Sequence, residues 1–309
     1  MHRILVTALI ITFAFTPQAQ AHDLLELDEL VSAFGWDFES TEIRAEKIAD
    51  GFYVLFGVGG NIALSLGANG TLIVDDQFPQ LMPKIEAAIA GLGGKGVDFA
   101  VNTHWHFDHA EGNLALGPKG TWLVSQANSR AMMADEHIVD LVAMQYKQQA
   151  YPESAKPVIT YDDRMQFHFN GEQIDLLHFG PAHTTGDTAV IFRGRNAVHL
   201  GDVFNNAGYP FIDAGNGGTI DGVIRFCEAV LEEIDTDTVV IPGHGPVTDH
   251  QRLVDYVKML TTVRDRIAEL MSGGADLAAV YTAKPTAEFD ETYGDPTGLI
   301  NRAFLSLSR

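Results

Sequence analysis

Residues 102–109 read Asn-Thr-His-Trp-His-Phe-Asp-His and place His104, His106, Asp108 and His109 within six positions. Imidazole nitrogens suit zinc, copper, iron and nickel, and carboxylates suit harder ions. The apolar run Phe99-Ala100-Val101 before the motif reads as a strand that delivers it. Three further ligand types follow in order along the chain. His183 lies in Gly180-Pro181-Ala182-His183-Thr184-Thr185-Gly186-Asp187, Asp202 ends His199-Leu200-Gly201-Asp202, and His244 sits in Pro242-Gly243-His244-Gly245-Pro246. Each adjoins an apolar segment and is flanked by Gly or Pro. They are therefore expected on turns at strand ends, where a rigid sheet can aim side chains into one cleft. A His-rich loop formed by chance is the bland alternative, and the three later ligands weigh against it.

This ordered set resembles the metallo-β-lactamase superfamily, through His-x-His-x-Asp-His, a His in a Gly/Pro-rich turn, an Asp after a strand, and a late Gly-His-Gly turn. The resemblance implies a two-metal site, read as two zinc ions per chain. His104, His106 and His183 would hold one ion, and Asp108, His109 and His244 the second, with Asp202 bridging. Three neutral imidazoles leave the open position that catalytic zinc requires. Two ions roughly 3.5–4 Å apart can share a water and lower its pKa to about 7, giving the nucleophile for a carbonyl carbon. Asp108 is expected to orient that water and shuttle its proton. The loop Gly215-Asn216-Gly217-Gly218 resembles the lactamase loop whose Asn helps hold the carbonyl oxygen, so Asn216 is a second catalytic candidate; a plain turn is the competing reading.

Two departures bear on substrate. In the Cys-containing lactamase subclass a Cys matches Asp202, and a Lys three residues later grips the substrate carboxylate. Here the positions hold Asp202 and Asn205. Asp202 with His109 looks more like the glyoxalase II, lactonase and phosphodiesterase branches. The leading expectation is an exported binuclear zinc hydrolase opening β-lactam rings. Lactone, thioester or phosphodiester hydrolysis is the alternative. A periplasmic zinc-binding protein without turnover is the non-enzymatic reading, and an oxidative iron enzyme a third.

Asp75, Asp76 and Asp187 could orient ligand histidines through their second nitrogens, or only close turns. His137, His168, His178, His199 and His250 have no motif around them, and His178 and His199 read as satisfied strand residues. Trp105, Phe107, Phe204, Tyr209 and Phe211 could wall a pocket or fill the core.

The elements that must position these groups are short. Residues 52–56, 61–66 and 71–74 read as a strand meander split by Gly-rich turns, and 99–103, 158–161, 165–169, 173–179, 188–192, 197–200 and 238–241 as further strands. Helices are expected at 83–92, 126–134, 138–150, 220–234, 250–271 and 299–307, with a short packing helix in the acidic stretch 22–45. Strands followed by mixed strand and helix, twice over, give an α/β fold of two facing mixed sheets with helices outside. The superfamily's αββα sandwich is that arrangement. The domain reading is a signal segment at 1–21, an extension at 22–45 and a catalytic domain at 46–309.

The signal reading rests on Arg3, an apolar run at 4–15 and the small-x-small pattern Ala19-Gln20-Ala21. That run is short for a membrane span, so a soluble periplasmic or secreted protein beginning at His22 is expected. A net charge of −21 over 309 residues disfavours nucleic acid and anionic membranes as partners, and leaves a small-molecule substrate. The single cysteine, Cys227, excludes an internal disulfide. It shares a helical face with Val223, Phe226 and Val230, which makes it a core thiol.

Overall fold

The computed structural model describes residues 24–309. The signal segment, its cleavage point and His22 lie outside the described residues. Two sheets dominate. In the seven-stranded sheet the strands run in the order Ile159–Tyr161, Trp122–Gln126, Phe99–Val101, Gly70–Val74, Ile62–Gly67, Phe52–Phe56 and Arg44–Ala49. Its first four are mutually parallel and the rest antiparallel. The six-stranded sheet runs Arg164–Phe169, Glu172–Leu177, Ala189–Phe192, Ala197–His199, Val239–Ile241 and Thr248–Asp249. Only its pair Ala197–His199 and Val239–Ile241 is parallel.

Alternation along the strands sorts residues into layers, because successive side chains point to opposite faces. Val54, Ala63, Leu72, Val74, Val101 and Val124 meet Ile174, Leu176, Val190, Phe192 and Ile241 between the sheets. Their neighbours Leu55, Ile62, Leu64, Ile73, Ala100 and Leu123 point outward, onto Met82, Ile85 and Ile89 of helix Met82–Gly91. On the far side Ala189, Ile191, Val198 and Val240 pack against the helices Ile220–Glu233, His250–Ser272 and Thr297–Leu307. The layers are helix, sheet, sheet, helix, as expected.

The long helices start where their caps dictate. Thr219 accepts from the Gly222 amide and Asp249 from the Arg252 amide, satisfying N–H groups that have no partner within the helix. Cys227 is fully buried in the outer helical layer, and burial pushes its thiol pKa up. Among the described residues no helix is long and apolar enough to cross a membrane.

One expected helix is not there. Residues 138–150 form the strands His137–Asp140 and Gln145–Gln148, a hairpin whose second strand also pairs with Leu24–Leu25. Ile138 and Val139 are β-branched, and Val142 takes a positive φ of 71° at the turn. Tyr146 and Gln148 alternate inward. That is a strand period which the apolar count alone had concealed. The N-terminal stretch holds the helix Leu27–Ala33, closed at its start by a capping box between Glu26 and Glu29. The strands Arg44–Ala49 and Trp122–Gln126 and the helices Leu277–Ala283 and Asp290–Tyr293 were not legible in the sequence.

Parallel strands carry their C-terminal ends to a common edge. Asp75 follows Val74, and the His-rich motif follows Val101. Asp202 comes just after the strand ending at His199, and His244 just after the one ending at Ile241. The topology therefore opens all four loops at one rim, where ligand sites of open α/β sheets form.

Candidate metal centre

The seven sequence-predicted ligand types come together. One ligand atom from each of His104, His106 and His183 lies within 4.8 Å of the others, and the same holds for Asp108, His109 and His244 and for His104, His109 and Asp202. His104 and His106 lie on the loop after the strand Phe99–Val101, and Asp108 and His109 on the one-turn helix Phe107–Ala110 that His106 caps. Asp202 sits between the two triads. Its Oδ1 is 3.1 Å from His109 Nε2 and 3.3 Å from His244 Nε2, and its Oδ2 is 3.8 Å from His183 Nε2.

Outward hydrogen bonds fix which ring nitrogen faces inward. His106 Nε2–H donates to Asp213 Oδ2 at 3.0 Å, which leaves Nδ1 facing the site. His109 Nδ1–H donates to Asp75 Oδ2 at 2.7 Å, and His183 Nδ1–H to the Phe211 carbonyl at 2.9 Å. His104 Nδ1 lies 3.0 Å from Thr103 Oγ1, whose hydroxyl donates on to Asp75 Oδ2 at 2.8 Å. With those tautomers the inward nitrogens of His104, His106, His109 and His183 present lone pairs. His106 Nδ1 and His183 Nε2 face each other at 2.9 Å, and His109 Nε2 and His244 Nε2 at 3.2 Å. His104 Nε2 and Asp202 Oδ1 are buried and make no hydrogen bond. Lone pairs and carboxylates packed this closely repel unless a cation lies among them, and buried acceptors without partners are costly. The buried His/Asp cluster thus has the donor chemistry of a metal site.

Charge divides the site. Burial, then the neighbouring imidazoles, hold His104 well below its ordinary pKa, so it is neutral; burial and His106 lower His183 likewise. The carboxylate half behaves oppositely. Burial opposes a charge on His109 and His244, but Asp202 and Asp108 outweigh it, raising His109 well above 6.5 and pushing His244 up to about 10. Burial raises Asp202, but His244 and His109 more than reverse it and hold its carboxyl well below the usual range. Without a metal, this half draws protons to the place a cation would take.

The supporting residues were only partly foreseen. Asp75 is the orienting carboxylate: besides His109 it accepts the Thr103 amide at 2.7 Å. Asp76 orients no ligand ring: its backbone amide donates to the His109 carbonyl at 2.8 Å, its carboxylate faces Asn102, and burial raises its pKa well above the usual range. Asp187 closes the turn that carries His183, accepting the Thr184 amide and hydroxyl, each at 2.8 Å. His199 is a satisfied core residue that donates from Nε2 to the Asn61 carbonyl at 2.9 Å.

Asp213 and Asn61 were missed. Asn61 donates to the carbonyls of Pro242 and Gly245 at 2.9 and 2.8 Å, stapling the His244 turn to the first sheet. A Cβ at Gly60 would strike the His109 ring and one at Gly243 would strike Asp202 Oδ1, so both positions require glycine. An Asp before a Gly-rich turn and an Asn after Gly-Gly are weak signals in a sequence.

Asn216 is corrected from carbonyl grip to positioning residue. Its amide nitrogen donates to the Ile138 carbonyl at 2.9 Å and to Asp213 Oδ2 at 2.8 Å, which occupies both hydrogens. It does not line the cavity over the site. That cavity, of about 280 Å³, is walled by Phe34, Trp36, Phe107, Leu141, Tyr209 and Phe211, with Asp108, Asp202 and His244 at its base. Trp105 and Phe204 are core. A larger cavity of about 720 Å³ beside the C-terminal end of His250–Ser272 is lined by none of these groups.

The metallo-beta-lactamase superfamily model matches residues 57–244. No curated protein sequence matches significantly. Among solved structures, the DIM-1 metallo-beta-lactamase is 18% identical with a TM-score of 0.57, over 72% of this chain and 98% of that one. A metallo-beta-lactamase from Pontibacter korlensis is 17% identical at 0.57, over 71% and 99%. TMB-1 is 14% identical at 0.56, over 71% and 97%. At these identities the likeness is one of fold.

Proposed function

Because this chain belongs to the metallo-beta-lactamase superfamily and has its metallohydrolase fold, we propose that it binds two zinc ions and hydrolyses an acyl bond at a carbonyl carbon. The observation that carries this is the pair of inward-facing triads with Asp202 between them. His104, His106 and His183 would hold one ion, and Asp108, His109 and His244 the other. When bound, the ions supply Lewis acidity and a water acidic enough to ionise near neutral pH.

The chain's own groups do the rest. Asp75, Asp213 and the Phe211 carbonyl keep three ligand rings in the tautomers that present lone pairs. Asp108 lies at the cavity base, where its carboxylate can take the proton of the attacking water and pass it to the leaving atom. The water oxygen bonds to the carbonyl carbon, the bond from that carbon to the leaving atom breaks, and the leaving atom departs protonated. Phe107, Tyr209 and Phe211 limit bulk water beside the reacting carbon.

Esters, lactones and thioesters fit this description. β-Lactam ring opening is the second reading, favoured by solved relatives of the same fold that are β-lactamases. Against it, Asn205, which stands where the substrate-gripping Lys would be, is uncharged and commits one amide hydrogen to the Tyr209 carbonyl at 3.1 Å and its oxygen to the Ala207 amide at 2.8 Å. Export through residues 1–21, to the periplasm or medium, belongs to the same proposal; the amino-terminal sequence of protein recovered from cells tests it.

The functional test is elemental analysis joined to hydrolysis of nitrophenyl esters, a lactone and a chromogenic cephalosporin, with and without chelator. Zinc near two per chain with chelator-sensitive acyl hydrolysis is expected, with Asp108→Ala and His244→Ala each losing one ion preferentially. Metal-loaded protein that turns over none of the panel would sink the acyl-hydrolase reading.

A further inference from the structure

The cavity over the metal-facing side chains adjoins a second, of about 330 Å³; Phe34, Leu141, Tyr209 and Phe211 line both. Met144, Pro210 and Leu299 extend the apolar wall of the second. Among the described residues lining either cavity there is no Lys or Arg, and the carboxylates are those of Asp108, Asp202 and Asp295. Resting on the acyl-hydrolase reading above, we propose that this joined groove holds an uncharged, apolar acyl arm, so that the substrate is a neutral ester or lactone, with Phe34 a residue that sets its selectivity.

Three observations carry the assignment. A carboxylate on the arm would leave water for apolar walls that carry no Lys or Arg to receive it, which is costly. At the far cavity it would also meet Asp295, which the Thr297 hydroxyl and amide hold below its usual pKa and so keep ionised. The second observation is Phe34 itself, a large ring left 43% exposed although it lines both cavities. It stacks on Trp36 at 4.7 Å between ring centroids, and Trp36 packs in turn on Phe78 and Phe107. An aromatic surface held firm from behind and bare in front suits an apolar arm, which would cover it. The third is the origin of the walls. Phe34, at the end of helix Leu27–Ala33, and Leu299, in helix Thr297–Leu307, lie outside the residues 57–244 that match the superfamily. The hairpin that contributes Leu141 and Met144 pairs with Leu24–Leu25, which ties the N-terminal segment to this side of the site. The reacting centre is the family's, while two pieces of the arm's wall, Phe34 and Leu299, come from elements outside the matched residues.

The test uses zinc-loaded full-length protein and nitrophenyl esters of acetate, butyrate and octanoate, with the mono-nitrophenyl ester of suberate as an octanoate carrying a terminal carboxylate. kcat/KM is expected to rise roughly tenfold or more from acetate to octanoate, mostly through KM, since each buried methylene adds to binding. It should fall by about the same factor when the carboxylate is added. Phe34→Ala should cut the octanoate-to-acetate ratio several-fold; Leu141→Ala, on the opposite element, should do the same and guards against misfolding of one variant. Equal kcat/KM for octanoate and suberate, or an unchanged ratio in both variants, overturns the inference while leaving acyl hydrolysis in place. Absence of turnover on every ester removes the acyl-hydrolase reading and this inference with it.

Discussion

Replacing Asp213 by alanine should weaken the His104/His106/His183 ion selectively. Asp213 is fully buried, and its Oδ2 accepts both His106 Nε2–H at 3.0 Å and the Asn216 amide at 2.8 Å. Burial raises its pKa, but His106 and Asn216 more than reverse this, so it stays ionised. Alanine leaves a buried imidazole N–H without a partner and removes what decides which nitrogen faces inward. Loss of such an orienting carboxylate costs about 10–100-fold in metal affinity, or roughly 1.4–2.8 kcal/mol at about 1.4 per decade. Stability should fall by about 1–3 kcal/mol for the orphaned donor. Competition against a chromophoric chelator measures the two affinities separately, and cobalt absorption reports ligand geometry. Asp213→Asn should fall between wild type and Asp213→Ala, because a neutral oxygen still accepts from His106 while its amide hydrogens face those of Asn216. A folded Asp213→Ala protein with both affinities unchanged, or with loss confined to the Asp108/His109/His244 ion, would refute the reasoning.

In metal-free protein the folded-state pKa of His244 is raised from 6.5 to about 10, and His109 moves the same way. A raised pKa contributes stability that is complete below the unfolded value and is lost as pH rises through the folded one. Thermal stability of the metal-free form should therefore fall between about pH 7 and 10, and that of the loaded form should not, because the ion replaces the proton; a flat metal-free profile contradicts the assignment. Asn61→Ala removes the two bonds that hold the His244 turn and should cost about 1–3 kcal/mol in urea unfolding, with weaker binding of the Asp108/His109/His244 ion. A cost below about 0.5 kcal/mol, the usual range of surface substitutions, would show that the turn holds itself.

Much of the fold could be read because strand alternation is a local property. Leu72, Ile73 and Val74 sort to opposite faces by position alone, and the stripe Leu253, Leu260, Val263 and Ile267 announces its helix in the same way. The failures are equally local in cause. Residues 137–148 offered enough apolar side chains for a helix, and the alternation of Tyr146 and Gln148 was obscured by the turn at Val142. The strand Trp122–Gln126 begins on a Trp that is 54% exposed, and it owes its place to parallel pairing on both sides. Pairing of that kind joins distant segments and leaves no periodic trace.

The ligands and their supports differ in legibility for a physical reason. A metal ligand must be His, Asp, Glu or Cys, so the requirement shows in residue type, and turns at strand ends show in Gly and Pro. An orienting partner need only offer an acceptor. For His183 that acceptor is the carbonyl of Phe211, which any residue could supply; for His106 it is Asp213, 107 positions along the chain. Asn216 shows how far such a reading can stray, since its Gly-rich loop matched in pattern while both amide hydrogens were already committed. The arm groove lies further still from anything a motif can report. Its wall joins Phe34 to Leu141 and Leu299, three residues with no chemistry of their own, assembled by a hairpin and two helices into an apolar surface that carries no Lys or Arg. Reaction type is thus written in the ligands, whereas substrate choice is written in what the tertiary fold places around them.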